Sequence, residues 1–160
     1  MKAQNKNGTI LVSQGIPNSF SSSLGTVLGG GSTMSDEEGK AHGFFDVVLP
    51  SGYDERIHNL SQIFFVSKDQ HYTYTKTNKT WTQTLAQLKA SKIQNLKSNS
   101  YRKLEPTDWY VWRKSEHGTA IPSEVVTARA AIKTNVDTKE SEINAISKKS
   151  DVVIYDINLD

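Results

Sequence analysis

Residues 60–104 read LSQIFFVSKDQHYTYTKTNKTWTQTLAQLKASKIQNLKSNSYRKL, and a change of period inside this stretch sets the fold class. Leu60–Val66 and His71–Thr77 are rich in β-branched and aromatic residues, with the four residues Ser67 to Gln70 between them. The two runs predict a β-hairpin over 60–77. Tyr72 and Tyr74 share one face of its second strand, which predicts cross-strand aromatic packing on Phe64. After Trp81 the spacing becomes helical. Leu85, Leu88, Ile93, Leu96, Tyr101 and Leu104 lie on one broad, drifting face, predicting a helix of about twenty residues. It should end at Glu105-Pro106, because proline opposes helix at the residue before it.

Towards the N-terminus, residues 8–13 read as one short strand, followed by a Ser/Gly-rich stretch with no packing period. The glycine triplet Gly29 to Gly31 lacks the Lys-Ser/Thr pair of a phosphate loop, so a flexible arm over 1–33 is expected. Ser35 and Glu38 have capping-box spacing for a brief helix that Gly43 would stop. Phe44–Leu49 reads as a strand halted by Pro50.

Towards the C-terminus, Thr107 or Asp108 can cap a short helix over 109–117, closed by Gly118. Ile121-Pro122 opens another helix with Val125, Arg129 and Ile132 at helical spacing. Asp137 and Glu140 repeat the capping spacing and predict a further helix bearing Ile143 and Ile146. The alternating residues 151–160 predict a terminal strand that pairs within the chain or with a neighbour. The expected fold is α+β: a small antiparallel β region (hairpin 60–77 plus short strands), a long helix, a C-terminal helical hairpin and a terminal strand. The expected segments are a strand and arm over 1–33, the β region and long helix over 34–105, helices over 106–149 and the strand tail over 150–160.

Composition narrows the chemistry. The 160 residues carry 19 Lys and Arg against 17 Asp and Glu, and no cysteine, which excludes disulfides, Cys-ligated metals and thiol nucleophiles. Leu, Ile, Val and Phe total 37, close to the lower limit for a packed domain, so the core should be thin and completed by neighbouring subunits. No apolar run approaches the ~20 residues of a membrane helix, and a soluble protein made in a cytoplasm is expected. Residues 70–104 hold seven bases and no acid, whereas 34–56 hold six acids and two bases. This asymmetry reads as a solvated surface or as a contact with a complementary protein subunit; stacking aromatics are missing from the basic helix, which disfavours nucleic acid. The four histidines lack ligand spacing, and no nucleophile, metal or dinucleotide motif occurs, so neither catalysis nor a cofactor is expected. The carboxylate pairs Asp36/Glu37 and Asp54/Glu55 lie where caps and turns want them.

The segment from Pro106 to Val125 concentrates two of the three tryptophans, a capped start, a glycine stop and a proline restart. On a helix Trp109, Trp112 and Glu116 form a row, and Arg113 can stack on Trp109 and pair with Glu116. Large aromatics are mostly core, so Trp109→Ala is expected to cost roughly 3–5 kcal/mol.

This segment resembles the C-terminal signature of the phage tail assembly chaperone-like and tail-fibre-assembly-associated proteins of tailed bacteriophages. The pattern is Pro-Thr-Asp-Trp-Tyr-Val, then Arg, Glu, Gly, Ile-Pro, Val and Arg at set spacings. The matching positions that form the motif and candidate interface are Asp108, Trp109, Tyr110, Trp112, Arg113, Glu116, Gly118, Pro122 and Arg129. Trp112 occupies a position that is often aliphatic. A looser likeness extends over about 30–133, through the acidic helix at 34–38, His42-Gly43-Phe44-Phe45 and Tyr53-Asp54. The resemblance implies a non-catalytic phage protein, present in several copies at the virion tail, that contacts tail, baseplate or fibre subunits. Two roles stand open: a structural component that stays in the virion, and an assembly chaperone that leaves.

Overall fold

A computed structural model describes residues 1–159 of the chain. The fold is α+β, with small antiparallel sheets followed by helices, and the chain divides into two compact units, Met1–Lys79 and Thr80–Asp160. The division assigns the long helix to the C-terminal helices instead of to the hairpin, unlike the segmentation expected at 34–105.

In the first unit, β1 (Lys2–Lys6) and β2 (Thr9–Ser13) form an antiparallel hairpin, and β5 (Phe44–Asp46) lies on the other side of β1. Asn7 and Gly8 turn the hairpin with φ of 52° and 86°, the paired left-handed geometry whose twist matches that of the strands. The Asn5 carboxamide oxygen accepts the Gly8 N–H at 2.9 Å. Sequence reasoning placed one strand at 8–13 and missed β1; the Asn-Gly pair was the signal for it.

The expectation of a flexible arm over 1–33 is corrected. β3 (Phe20–Ser22) pairs with β4 (Gly25–Val27), and a 3-10 turn follows at Gly31–Thr33. Polar side chains hold this stretch where no apolar period exists. The Asn18 carboxamide accepts the Gly30 N–H at 2.8 Å, and its backbone carbonyl accepts the Gly31 N–H at 3.0 Å. A Cβ at Gly31 would stand 2.1 Å from the Pro17 carbonyl oxygen, so only glycine fits.

The capping box forms as expected at the start of α1 (Asp36–Ala41): the Glu38 N–H donates to Ser35 Oγ at 3.3 Å, and the Ser35 N–H donates to the Glu38 carboxylate at 2.8 Å. β6 (His58–Val66) and β7 (His71–Asn78) form the predicted hairpin, with Val66 opposite His71 and a bulge between Leu60 and Ile63. In that register Tyr72 faces Phe65 at 5.0 Å between ring centroids, and Phe45 closes on Phe65 at 4.8 Å. Phe64, the expected partner, points the other way opposite Thr73 and is exposed.

The second unit is helical. α2 (Leu85–Leu104) has the predicted length and its own capping box, Thr84 with Gln87. Pro106 follows the end of α2 at Leu104, as predicted. It sits in the first turn of a 3-10 segment, Glu105–Thr107, that leads into α3 (Asp108–His117), since a proline is tolerated where its missing N–H would have had no partner. The expected side-chain cap by Thr107 or Asp108 is not made; Thr107 Oγ1 donates back to the Leu104 carbonyl at 2.8 Å. α4 runs unbroken over Ser123–Ala145, so the separate helix starting at Asp137 is also corrected. A capping spacing marks a start only where the preceding backbone leaves the helix, and no glycine or proline lies between 123 and 145.

The terminal strand expected over 150–160 is not formed among the described residues, and residue 160 lies outside them. Lys149–Ile154 is a helix, α5, and 155–159 has no regular secondary structure. Its neighbours are helices, whose backbone groups are already bonded, so no strand edge is within reach; the Asn158 N–H bonds to the Asp156 carboxylate at 2.9 Å, and the Asp156 carbonyl accepts Lys139 Nζ at 3.0 Å. Leu159 joins Leu96, Val136 and Ile143 in the buried cluster, with Ile93, Ile132, Tyr155 and Ile157 packed against it.

The basic block has partners inside the chain. Lys89 Nζ donates to the Asn144 carbonyl at 2.7 Å and Lys92 Nζ to the Val153 carbonyl at 2.9 Å, so two lysines neutralise the carbonyl ends of α4 and α5. Lys97 pairs with Glu140 at 3.2 Å. In the first unit Lys76 and Lys79 bind the Ser51 and Glu55 carbonyls at 2.8 and 2.5 Å. Among the described residues no helix is long and apolar enough to cross a membrane.

Candidate functional site

The motif residues converge on the junction where α2 passes into α3. Arg129, 25 residues beyond Leu104, reaches back from α4. Its Nη1 donates to the Leu104 carbonyl at 2.9 Å and to Thr107 Oγ1 at 2.6 Å, and it pairs with the Asp108 carboxylate at 2.9 Å. The Arg129 side chain is only 16% exposed, so these charge-assisted bonds form in a partly desolvated setting where they hold geometry well. Gly118 ends α3 in the left-handed conformation, φ 68°, as predicted. The Pro122 carbonyl then accepts the Val125 and Val126 N–H groups, both at 3.1 Å, and starts α4. Asp108, Gly118, Pro122 and Arg129 thus fix the frame of the helix, and Trp109, Tyr110, Trp112, Arg113 and Glu116 are what the frame presents.

Trp109 and Tyr110 stack at 3.8 Å between centroids and 30° between planes, and the Arg113 guanidinium lies 4.8 Å from the Trp109 ring and 5.5 Å from the Tyr110 ring. The predicted stacking on Trp109 is therefore present. The predicted pair with Glu116 is not: Glu116 is exposed beside His117, and Arg113 Nε is buried without a hydrogen-bond acceptor. A guanidinium held against two ring faces is fixed in place together with them.

The core role expected for the tryptophans is overturned. Trp109 is 50% exposed and Trp112 68% exposed, and α3 contains no buried residue. An amphipathic pattern reports that a face is apolar; it does not report what covers it. Val111 on the same helix is exposed as well. The helix carries an apolar, aromatic surface of the kind enriched at protein interfaces, with an arginine among the rings.

Known protein families, curated protein sequences and solved structures were each compared with this chain. None of the three comparisons gives a match.

The carboxylates that sequence reasoning assigned to caps and turns have those positions. Lys2 beside Asp36, at 2.7 Å, holds that carboxyl below its usual range, and the Ser35 N–H does the same for Glu38. The Arg56 guanidinium, bonded to both oxygens of Asp54, pulls it down to about 2. Among the described residues no three His, Asp or Glu side chains cluster as a metal site would need. One contact was not foreseen: Ser22 Oγ lies 2.8 Å from His42 Nδ1, at a polar cavity of about 390 Å³ between β1 and the β3–β4 turn. The same hydroxyl accepts the Leu24 N–H at 3.1 Å, so it braces the turn, and the Gln4 carboxamide donates to the His42 carbonyl at 2.8 Å and ties the hairpin to the end of α1.

Proposed function

We propose that this chain is a structural protein of a bacteriophage tail, baseplate or tail fibre, acting through protein–protein contact and carried in several copies by the virion. The observation that carries the reading is the pair of exposed tryptophans, Trp109 and Trp112, on a helix whose start is pinned by Arg129. Hot spots in protein interfaces favour tryptophan, tyrosine and arginine held rigidly before binding, because little conformational freedom is then lost on association. The sequence likeness to tail-assembly proteins lies in these same residues. It covers both those that hold the helix, Asp108, Gly118, Pro122 and Arg129, and those that face outward.

Mass spectrometry of purified particles tests the role. The chain should be found in mature virions in stoichiometric amounts, and Trp109→Ala with Trp112→Ala should lower its incorporation. A chain absent from particles but bound to a tail or fibre subunit in infected cells is an assembly chaperone, the second role consistent with the likeness. A chain found in neither place removes the tail reading altogether.

A further inference from the structure

We propose that β2 is a self-pairing edge, and that two copies of the chain join antiparallel through it to make one six-stranded sheet, β5-β1-β2-β2-β1-β5. The inference concerns the first unit and is independent of a tail role.

The ladder dictates which groups are free. A two-residue turn at Asn7-Gly8 makes Lys6 and Thr9 the first hydrogen-bonded pair of the hairpin, and bonded pairs then alternate with non-bonded ones. Thr9, Leu11 and Ser13 accordingly bond to β1, opposite Lys6, Gln4 and Lys2. The N–H and C=O groups of Ile10 and Val12 point away from it. β2 is the outer strand of its sheet, and among the described residues no other group bonds to these four.

Other edges are guarded. β3, β4 and β5 have three residues each; Asp46 on β5 is held by Lys2 at 3.0 Å; β6 is bulged; and Val47 and Val48 run beside Tyr72 of β7. β2 has none of the devices that prevent edge pairing: no charge, no proline and no bulge. Leu11 is 51% exposed and Val12 42% exposed.

The occupant follows from the strand itself. Thr-Ile-Leu-Val-Ser is chemically symmetric about Leu11: hydroxyl, β-branched aliphatic, leucine, β-branched aliphatic, hydroxyl. A two-fold axis at Leu11 sets Ile10 opposite Val12 of the second copy and Thr9 opposite Ser13, so apolar meets apolar and hydroxyl meets hydroxyl. It also makes Ile10 and Val12 the bonded pairs and Leu11 a non-bonded pair, so all four free backbone groups of each copy find partners. No like charges face each other across the axis.

The chain has no cysteine, which permits a clean test by single substitution and sedimentation of the full-length protein. The wild-type chain should sediment, with rising concentration, towards twice its 17.8 kDa mass. Leu11→Cys should cross-link to itself under mild oxidation, because non-bonded antiparallel pairs bring Cα atoms to about 4.5 Å, within disulfide range. Ile10→Cys, whose opposite residue is Val12, should not. Val12→Pro removes an outward N–H without removing a β1–β2 bond, and Leu11→Lys sets two ammonium groups at the axis; both should be monomers with unchanged circular dichroism. A wild-type chain that stays monomeric over the whole series overturns the proposal. So does a dimer that survives both variants, or one that cross-links as well at residue 10 as at residue 11.

Discussion

The two units solve the problem of a small apolar content in different ways. Met1–Lys79 buries few large side chains, chiefly Phe44 and Tyr72, and relies on four antiparallel ladders in three small sheets, aromatic contacts such as Phe20–Phe44 at 4.7 Å, and polar brackets around its turns. Thr80–Asp160 has a continuous aliphatic cluster of Leu96, Val136, Ile143 and Leu159, and lysines that close the carbonyl ends of its helices. Ladders leave edges with free amides; helices satisfy their own. The first unit therefore leaves backbone groups free at an edge, and the second leaves aromatic side chains exposed.

Core truncations should separate the units most strongly. Leu96→Ala, at a fully buried position, should cost about 3 kcal/mol, and amide exchange should speed up across α2, α4 and α5 while the 58–78 hairpin keeps its protection. Phe44→Ala should give the converse pattern at a similar cost of about 3–4 kcal/mol. Exchange that speeds up equally in both units for either variant would mean that they unfold as one.

Arg129→Met removes three partners at the α2–α3 junction and should cost about 2 kcal/mol in urea unfolding, with changed tryptophan fluorescence as α3 loosens. Next in size is Trp109→Ala. With half its surface in water, and with Tyr110 and Arg113 as its ring partners, the loss should be about 1 kcal/mol, well short of a core deletion. A thermal shift of core size would return α3 to a buried role and remove the basis of the proposed interface.

The smallest effects lie in pH. Asp54 titrates near 3.8 when unfolded and at about 2 when folded, because Arg56 favours its charged form. Its contribution is present above 3.8 and is lost as pH falls towards 2, and Asp36 and Glu38 act in the same direction. Tyr155 goes the other way. Burial, and then the Glu142 carboxylate that accepts its hydroxyl, push it from 10.0 to about 12. Its contribution is complete below 10 and is lost as pH rises to 12. Acid should therefore weaken the first unit, while alkali should weaken both, because Lys2 and Tyr72 of the first unit are raised as Tyr155 is. Read by hairpin and helix amide signals, Asp54→Asn should flatten the acid limb of the first unit and Tyr155→Phe the alkaline limb of the second.

Local signals were read well where they act over a few residues. The four-residue loop at 67–70 placed the hairpin, the Ser35 and Glu38 spacing placed α1, and Gly118 stopped α3. The same method failed where a local signal competes with its surroundings. Asp137 and Glu140 have cap spacing but lie inside a helix with no breaker, and the alternation of 151–159 suits a strand only where another strand is within reach. Of the candidate site, the membership of Arg129 and the Arg113–Trp109 stack were legible from spacing and likeness. The bond from Arg129 to the Leu104 carbonyl, 25 residues away, was not, because no periodicity encodes it.

By itself the sequence determined the α+β class, the hairpin, the extent of α2, and the absence of any thiol chemistry, since these depend on residue type and on backbone preferences spanning one turn. The tertiary structure decided that residues 149–154 form a helix, that the lysines of α2 close other helices, and that two tryptophans stand in solvent. Those outcomes depend on what lies opposite each face, and burial belongs to the pair of surfaces that meet.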